Sequence, residues 1–297
     1  MSAMPVEPPF GHLLSAMVTP FTADGDLDLD AAARLATYLV DELGHDGLVV
    51  SGTTGESPTT SDDEKAELLS TVVDAVGDRA HVLAGVGTFD TRHTVELAGQ
   101  AAKLGADGLL VVTPYYSKPP QAGLLAHFRT VADSTDVPVM IYDVPHRSSV
   151  AVATETMIRA AEHPQIVAVK DAKGDLAASA RVMAETDLAY YSGDDPLTLP
   201  LLSVGAVGVV GTSTHFSGLG AKAMIEAYLR GDVTEALRLH RQLLPIFTGV
   251  FAAPGVTMVK AGLELQGRGV GGLRSPMVAA TPEQIDFLAS SLAAAGL

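Results

Sequence analysis

Apolar and polar positions along this chain fall into blocks of two kinds. Short, nearly unbroken apolar runs rich in Val, Ile and Leu recur at 13–18, 47–51, 81–86, 108–114, 137–142, 166–170, 188–192 and 206–210. Runs of this length and make-up read as strands buried on both faces, as in a parallel sheet. Between them lie alanine-rich stretches with apolar residues every three or four positions, the spacing of amphipathic helices. In 27–43 that spacing puts Leu35, Leu39 and Leu43 on one face. In the stretch after Asp62, the expected cap, it does the same for Leu68, Leu69, Val72 and Val76. Further helices are expected at 91–104, 123–132, 154–161 and 176–184.

Eight strands alternating with helices over about 220 residues form the pattern of an α/β protein with the (β/α)8 TIM barrel fold. A doubly wound open sheet, the alternative, would have fewer strands and a reversal of strand order. From Leu219 the strands cease, and 219–229, 233–244, 256–265 and 282–292 all read as helices. The expected organisation is a barrel over 11–218 and C-terminal helices over 219–297 that complete it and extend it. No linker, low-complexity tract or repeat beyond the strand–helix alternation interrupts the chain.

Composition narrows the class. Of 297 residues 47% are hydrophobic and only 5% aromatic, so the core has to be aliphatic. The absence of cysteine excludes disulfides and thiolate metal sites and fits a reducing compartment. A formal charge of −16 argues against nucleic acid or an anionic membrane as partner. No apolar run approaches the roughly 20 residues that cross a bilayer. The opening MSAMPVEPPF lacks the basic and apolar regions of a signal peptide, and a cytoplasmic location is expected.

Candidate chemistry centres on Ile166-Val-Ala-Val-Lys-Asp-Ala-Lys173. Lys170 ends an apolar strand, half in the dry interior, where desolvation disfavours its ammonium form. A neutral amine can attack a carbonyl and form an imine. A solvated lysine closing a strand is the plainer reading, and for Lys170 alone it prevails. Barrel active sites, however, are built from loops at the carboxyl ends of the strands. Thr53 and Thr54 follow strand two, Tyr115 and Tyr116 strand four, Tyr142 and Arg147 strand five, and Gly193 strand seven. Each has an ordinary explanation as turn, plug or ion-pair residue; all of them on one rim around a lysine do not. Lys170 can form an imine with a 2-keto acid, and Tyr142 can shuttle its protons. The hydroxyls of Thr53 and Tyr116 can pass them to solvent. Thr54 and the N–H groups of its turn can hold the keto-acid carboxylate, and the Arg147 fork a second one. Gly85-Val-Gly87 lacks the third glycine of a dinucleotide motif, and the nine histidines show no metal-ligand spacing. Asp194-Asp195 reads as a turn with a helix cap, with a cation site as the alternative. No cofactor and no metal are expected.

The motifs Gly52-Thr-Thr-Gly-Glu-Ser57, Val112-Thr-Pro-Tyr-Tyr-Ser-Lys-Pro119, Val169-Lys-Asp-Ala-Lys-Gly-Asp175 and Tyr191-Ser-Gly-Asp-Asp195 together resemble the dihydrodipicolinate synthase family, of actinobacterial type. That family lies within the class I aldolase superfamily of N-acetylneuraminate lyase, and the likeness extends from Ala16 to Gly267. It implies condensation of pyruvate with L-aspartate 4-semialdehyde on the way to diaminopimelate and lysine. It also implies Lys170 as the imine-forming lysine and Thr53, Tyr142 and Tyr116 as a proton relay, Tyr116 reaching in from a neighbouring subunit. Thr54 would contact pyruvate's carboxylate, Arg147 would receive the semialdehyde's, and Gly193 and Val210 would complete the substrate wall. A homotetramer, a dimer of tight dimers, is expected. Gly211-Thr212 departs from the usual family pattern and bears on preference for pyruvate over a larger keto acid; Ser148-Ser149, with His146 near them, depart as well and bear on how the Arg147 loop is set. The alternative activity is a pyruvate-dependent aldolase of 2-keto-3-deoxy sugar acids or of N-acetylneuraminate. An inactive scaffold barrel is opposed by the intact Lys170, Tyr142 and Thr53. Family members that bind lysine use histidines, an asparagine and a glutamate where this chain has Asp62, Lys65, Phe89 and His93, so insensitivity to lysine is expected.

Overall fold

The computed structural model describes residues 6–297; residues 1–5, part of the N-terminal stretch read above as lacking a leader, lie outside the described residues. Its strands are β1 (Leu13–Ala16), β2 (Gly47–Val50), β3 (His81–Gly85), β4 (Gly108–Val112), β5 (Val139–Asp143), β6 (Ile166–Asp171), β7 (Ala189–Ser192) and β8 (Gly208–Gly211). They form one closed barrel in chain order. The ring shuts where β1 pairs parallel with β8, Leu14 opposite Val210 and Ser15 opposite Gly211.

Every strand is apolar on both faces because both faces are covered. Leu14, Val49, Leu83, Leu110, Met140 and Val210 point inward and pack as the barrel's own core. Their neighbours Leu13, Leu48, Val82, Leu109, Ile141 and Val209 point outward under the helices. Phe10 plugs the amino-terminal end, its backbone N–H donating to the Tyr191 hydroxyl at 3.3 Å. At Gly108 a Cβ would stand 2.8 Å from the Phe10 ring, so only glycine admits the plug.

The helices are α1 (Leu29–Thr37), α2 (Asp62–Val76), α3 (Thr91–Lys103), α4 (Gln121–Asp133), α5 (Pro145–Ser148), α6 (Thr154–Ala160), α7 (Leu176–Glu185), α8 (Thr198–Leu202), α9 (Thr214–Leu229), α10 (Val233–Gly249), α11 (Gly255–Leu265) and α12 (Pro282–Ala295). None among the described residues is long and apolar enough to cross a membrane.

Several boundaries differ from expectation, each for a physical reason. Ser61, not Asp62, caps α2: its hydroxyl accepts from Glu64 N–H, and the Glu64 carboxylate accepts from Ser61 N–H. Asp62 becomes the first helical residue, where its charge suits the positive end of the helix dipole. The helix begun by α1 continues as a π-helix over Tyr38–Glu42, an i→i+5 pattern that hydrophobic spacing does not reveal. α9 starts at Thr214 and so runs straight through the expected division between residues 218 and 219. α10 continues through Pro245 to Gly249, because Ile246 and Phe247 beyond the proline are buried and hold the last turn down. α5 and α8 are too short to show a period.

Candidate active site

The carboxyl ends of the strands open into a cavity of about 600 Å³. The rim supplies Thr53, Thr54, Tyr142, Arg147, Lys170 and Gly193, so six of the eight residues singled out from the sequence share one chamber. Tyr116 and Val210 do not line it.

Lys170 lies near the end of β6 and is only 5% exposed. Tyr142 is its register partner on β5, and the Nζ stands 4.4 Å from the centroid of the Tyr142 ring. Burial, above all, pulls the Lys170 ammonium down from 10.5 to about 8; Asp195 works against that and Arg147 with it. Burial also pushes the Tyr142 phenol up to about 12, while Arg147 and the adjoining Thr53 side chain pull it down. The pair thus holds a lysine that loses its proton readily and a phenol that keeps one. Thr113 fixes the backbone of Tyr142, its N–H and hydroxyl donating to that carbonyl at 3.0 and 3.1 Å.

Gly193 lets β7 close on the lysine. A Cβ there would meet Lys170 Cγ at 3.0 Å and Ala172 Cβ at 3.2 Å. Beyond it, Asp195 is buried and accepts from Thr212 N–H at 3.1 Å, Ser213 N–H at 3.1 Å and the Ser213 hydroxyl at 2.6 Å. Its side chain therefore serves the turn after β8; the helix cap expected at Asp194-Asp195 is absent, neither side chain capping the turn that follows. Burial raises the Asp195 pKa, with those donors and Lys170 opposing the rise. At Gly211 a Cβ would stand 2.7 Å from Asp195 Oδ1, so the glycine that departs from the usual family pattern makes room for this carboxylate.

The Thr53–Thr54 turn follows β2 and is closed by Gly55 N–H to Gly52 C=O and Glu56 N–H to Thr53 C=O, at 3.1 and 3.2 Å. The Thr54 hydroxyl lies 3.5 Å from that of Thr212. Arg147 sits on the short α5, exposed at the mouth, and among the described residues no carboxylate lies within ion-pair distance of it. Asp143, the carboxylate four residues before it, instead stands 3.9 Å from Lys173. The Arg147 fork is thus available to an anion entering the cavity.

Val210 is fully buried in the barrel core, one layer below the floor. Thr212, two residues on and facing the same way, is the residue of that strand end that reaches the cavity. Tyr116 is 92% exposed and has a left-handed backbone with φ of +73°. That conformation costs a side-chain-bearing residue about 1–2 kcal/mol, and the exposed phenol takes no part in lining its own cavity.

Sequence reasoning missed the roof. Phe247, Thr248, Phe251, Pro254, Pro276 and Met277, all from the C-terminal extension, cover the chamber opposite the barrel rim. It also missed Glu56, whose carboxylate pairs with Lys260 at 2.8 Å, both side chains 4% exposed or less. Breaking such a buried pair from one side costs about 3–5 kcal/mol.

The arrangement provides a dry amine, an adjoining phenol, a turn of two threonines and a guanidinium with no carboxylate partner among the described residues. Residues 9–295 match the family model described as "Dihydrodipicolinate synthetase family". The chain is 69% identical, over 97% of its length and 93% of the relative's, to the 4-hydroxy-tetrahydrodipicolinate synthase of Acidothermus cellulolyticus. To 4-hydroxy-tetrahydrodipicolinate synthase 2 of Streptomyces coelicolor it is 58% identical, covering 97% of this chain and 96% of that one. The crystal structure of the Cyanidioschyzon merolae enzyme with lysine bound superposes with a TM-score of 0.96 at 42% identity, covering 98% and 100% of the two chains. This chain belongs to the dihydrodipicolinate synthetase family.

Proposed function

We propose that this protein is a cytoplasmic 4-hydroxy-tetrahydrodipicolinate synthase that condenses pyruvate with L-aspartate 4-semialdehyde through an imine on Lys170. The observation that carries the reading is a buried lysine, its ammonium disfavoured, at the floor of a chamber with an unpaired arginine at its mouth. The neutral Nζ attacks the keto carbon of pyruvate, whose carboxylate rests on Thr54 and the adjoining turn. Tyr142 delivers a proton to the departing hydroxyl, water leaves, and the imine forms. Loss of a methyl proton gives an enamine, whose carbon attacks the aldehyde while Arg147 holds the semialdehyde's carboxylate. The semialdehyde's own amine then displaces Lys170 from the imine carbon and closes the ring of the product. Thr53 extends the proton path from Tyr142, and Tyr116, exposed on its own chain, completes it in a neighbouring subunit of a homotetramer.

The test combines pyruvate and aspartate semialdehyde with a coupled readout of the cyclic product, and traps the imine with borohydride in pyruvate alone. Product formation, with a pyruvyl adduct on the peptide containing Lys170, is the expected result. An adduct on Lys173 or Lys118 overturns the assignment of the lysine. Pyruvate release from a 2-keto-3-deoxy sugar acid, with no condensation, establishes the aldolase instead.

A further inference from the structure

The Glu56–Lys260 pair lies where the two halves of the cavity meet. Glu56 ends the turn that carries Thr53 and Thr54, and its backbone is left-handed with φ of +55°. One carboxylate oxygen pairs with Lys260 on α11, and the other accepts from the backbone N–H of Arg274 at 3.0 Å. Lys260 also donates to the carbonyl of Gly272 and stands 4.3 Å from the centroid of the Phe21 ring. The Arg274 guanidinium lies 4.2 Å from the same ring and binds the carbonyls of Gly25 and Thr59 and the carboxylate of Glu64. Two of these elements continue directly into the roof: α11 opens with Gly255 and Val256, and Arg274 is followed by Pro276 and Met277. A single carboxylate therefore ties the substrate-binding turn to both segments that cover it.

A solvated pair would suffice to hold a surface loop. This one is dry, and it sits on a residue whose backbone is strained, so the turn adopts its shape because the anchor holds it there. We propose that Glu56 is a positioning residue for the keto-acid step: it fixes the Thr53–Thr54 turn against the roof, and so sets the geometry in which pyruvate's carboxylate is received. The inference rests on the proposed role of the Thr53–Thr54 turn. Arg147 is not joined to this network, its helix α5 following a different strand, so semialdehyde binding does not depend on Glu56.

The experiment compares the unsubstituted enzyme with Glu56→Gln and with the double variant Glu56→Gln/Lys260→Met. The double variant removes both charges and guards against misfolding caused by a buried unpaired lysine. Pyruvate KM, semialdehyde KM and the pyruvate dependence of borohydride trapping on Lys170 are measured for each. The expected result is a pyruvate KM raised at least tenfold and a matching shift in trapping, with semialdehyde KM changed less than twofold. Glu56→Asp, keeping the charge, should recover part of the loss. A folded double variant with unaltered pyruvate KM and trapping, or one whose two KM values rise together, overturns the proposal. If the unsubstituted enzyme forms no adduct on Lys170, it is the reading of the active site that fails, which separates the two outcomes.

Discussion

Lys170 and Tyr142 are register partners on adjoining strands, and the lysine nitrogen lies 4.4 Å from the centre of the tyrosine ring. The same burial acts on them in opposite senses, moving the amine down to about 8 and the phenol up to about 12. Between those values the amine is free to attack and the phenol still holds its proton. Imine formation should therefore accelerate as pH rises toward about 8 and then level off. Tyr142→Phe keeps the ring beside the lysine and removes the proton, so the plateau should fall by about 100- to 10,000-fold, the usual worth of a placed acid–base group. The check is the rate of borohydride trapping against pH, and a rate already level near pH 6 counts against Lys170 as the titrating group.

Arg147 holds the ammonium of Lys170 down as well as facing the mouth of the cavity. Removing the cation makes the charged lysine easier to keep, so in Arg147→Ala the trapping midpoint should move to higher pH. Use of the semialdehyde should weaken by about 1.5–3 kcal/mol in kcat/KM, the scale of a lost charge-assisted hydrogen bond. Imine formation at alkaline pH should survive. Steady-state kinetics with each substrate varied in turn separate these effects, and equal damage to both half-reactions would remove Arg147 from its assigned role.

The exposed, strained Tyr116 does not line the cavity of its own chain. Inactive Tyr116→Phe and Lys170→Ala chains, mixed and reassembled, should restore activity, because one site of each mixed dimer regains both groups. Absence of recovery in mixed dimers verified by mass would confine the relay to a single chain.

Lysine should inhibit poorly even at millimolar concentration. Where lysine-binding relatives are expected to place its ligands, His93 is engaged with Asp62 at 2.9 Å, and the Lys65 ammonium is turned onto the Thr60 carbonyl. Phe89 packs edge-on against Tyr115 with ring centroids 5.5 Å apart and offers no acceptor. Each missing charged hydrogen bond weakens binding by about 1.5–3 kcal/mol. A titration giving half-inhibition below 1 mM would show that other residues have rebuilt the pocket.

Much of this was readable from the chain alone because strand ends and chemistry coincide. The apolar run that stops at Lys170 marks both the strand and the buried lysine of the cavity, and the strand-end rule gathers Thr53, Thr54, Arg147 and Gly193 around it. Val210 shows the limit of counting along a strand. The resemblance pointed to the correct strand but not to the layer, and two residues of rise separate Val210 in the core from Thr212 at the cavity floor. Phe247 and Phe251 were hidden for another reason. Helical spacing identifies an apolar face but not the element it will cover, and Pro245 made the pattern end one turn too soon. Asp195 looked like a turn residue because its donors lie beyond the neighbouring strand β8, seventeen positions away in the chain, outside any local pattern.

The roof has a consequence for how the protein comes into being. A ribosome delivers all the rim residues before it delivers Phe247, Phe251 and Met277. A nascent barrel can thus hold Lys170 in place while the chamber above stays open to water. The chamber is therefore enclosed only once the last fifth of the polypeptide has been made and docked, so the site is completed from the end of the chain.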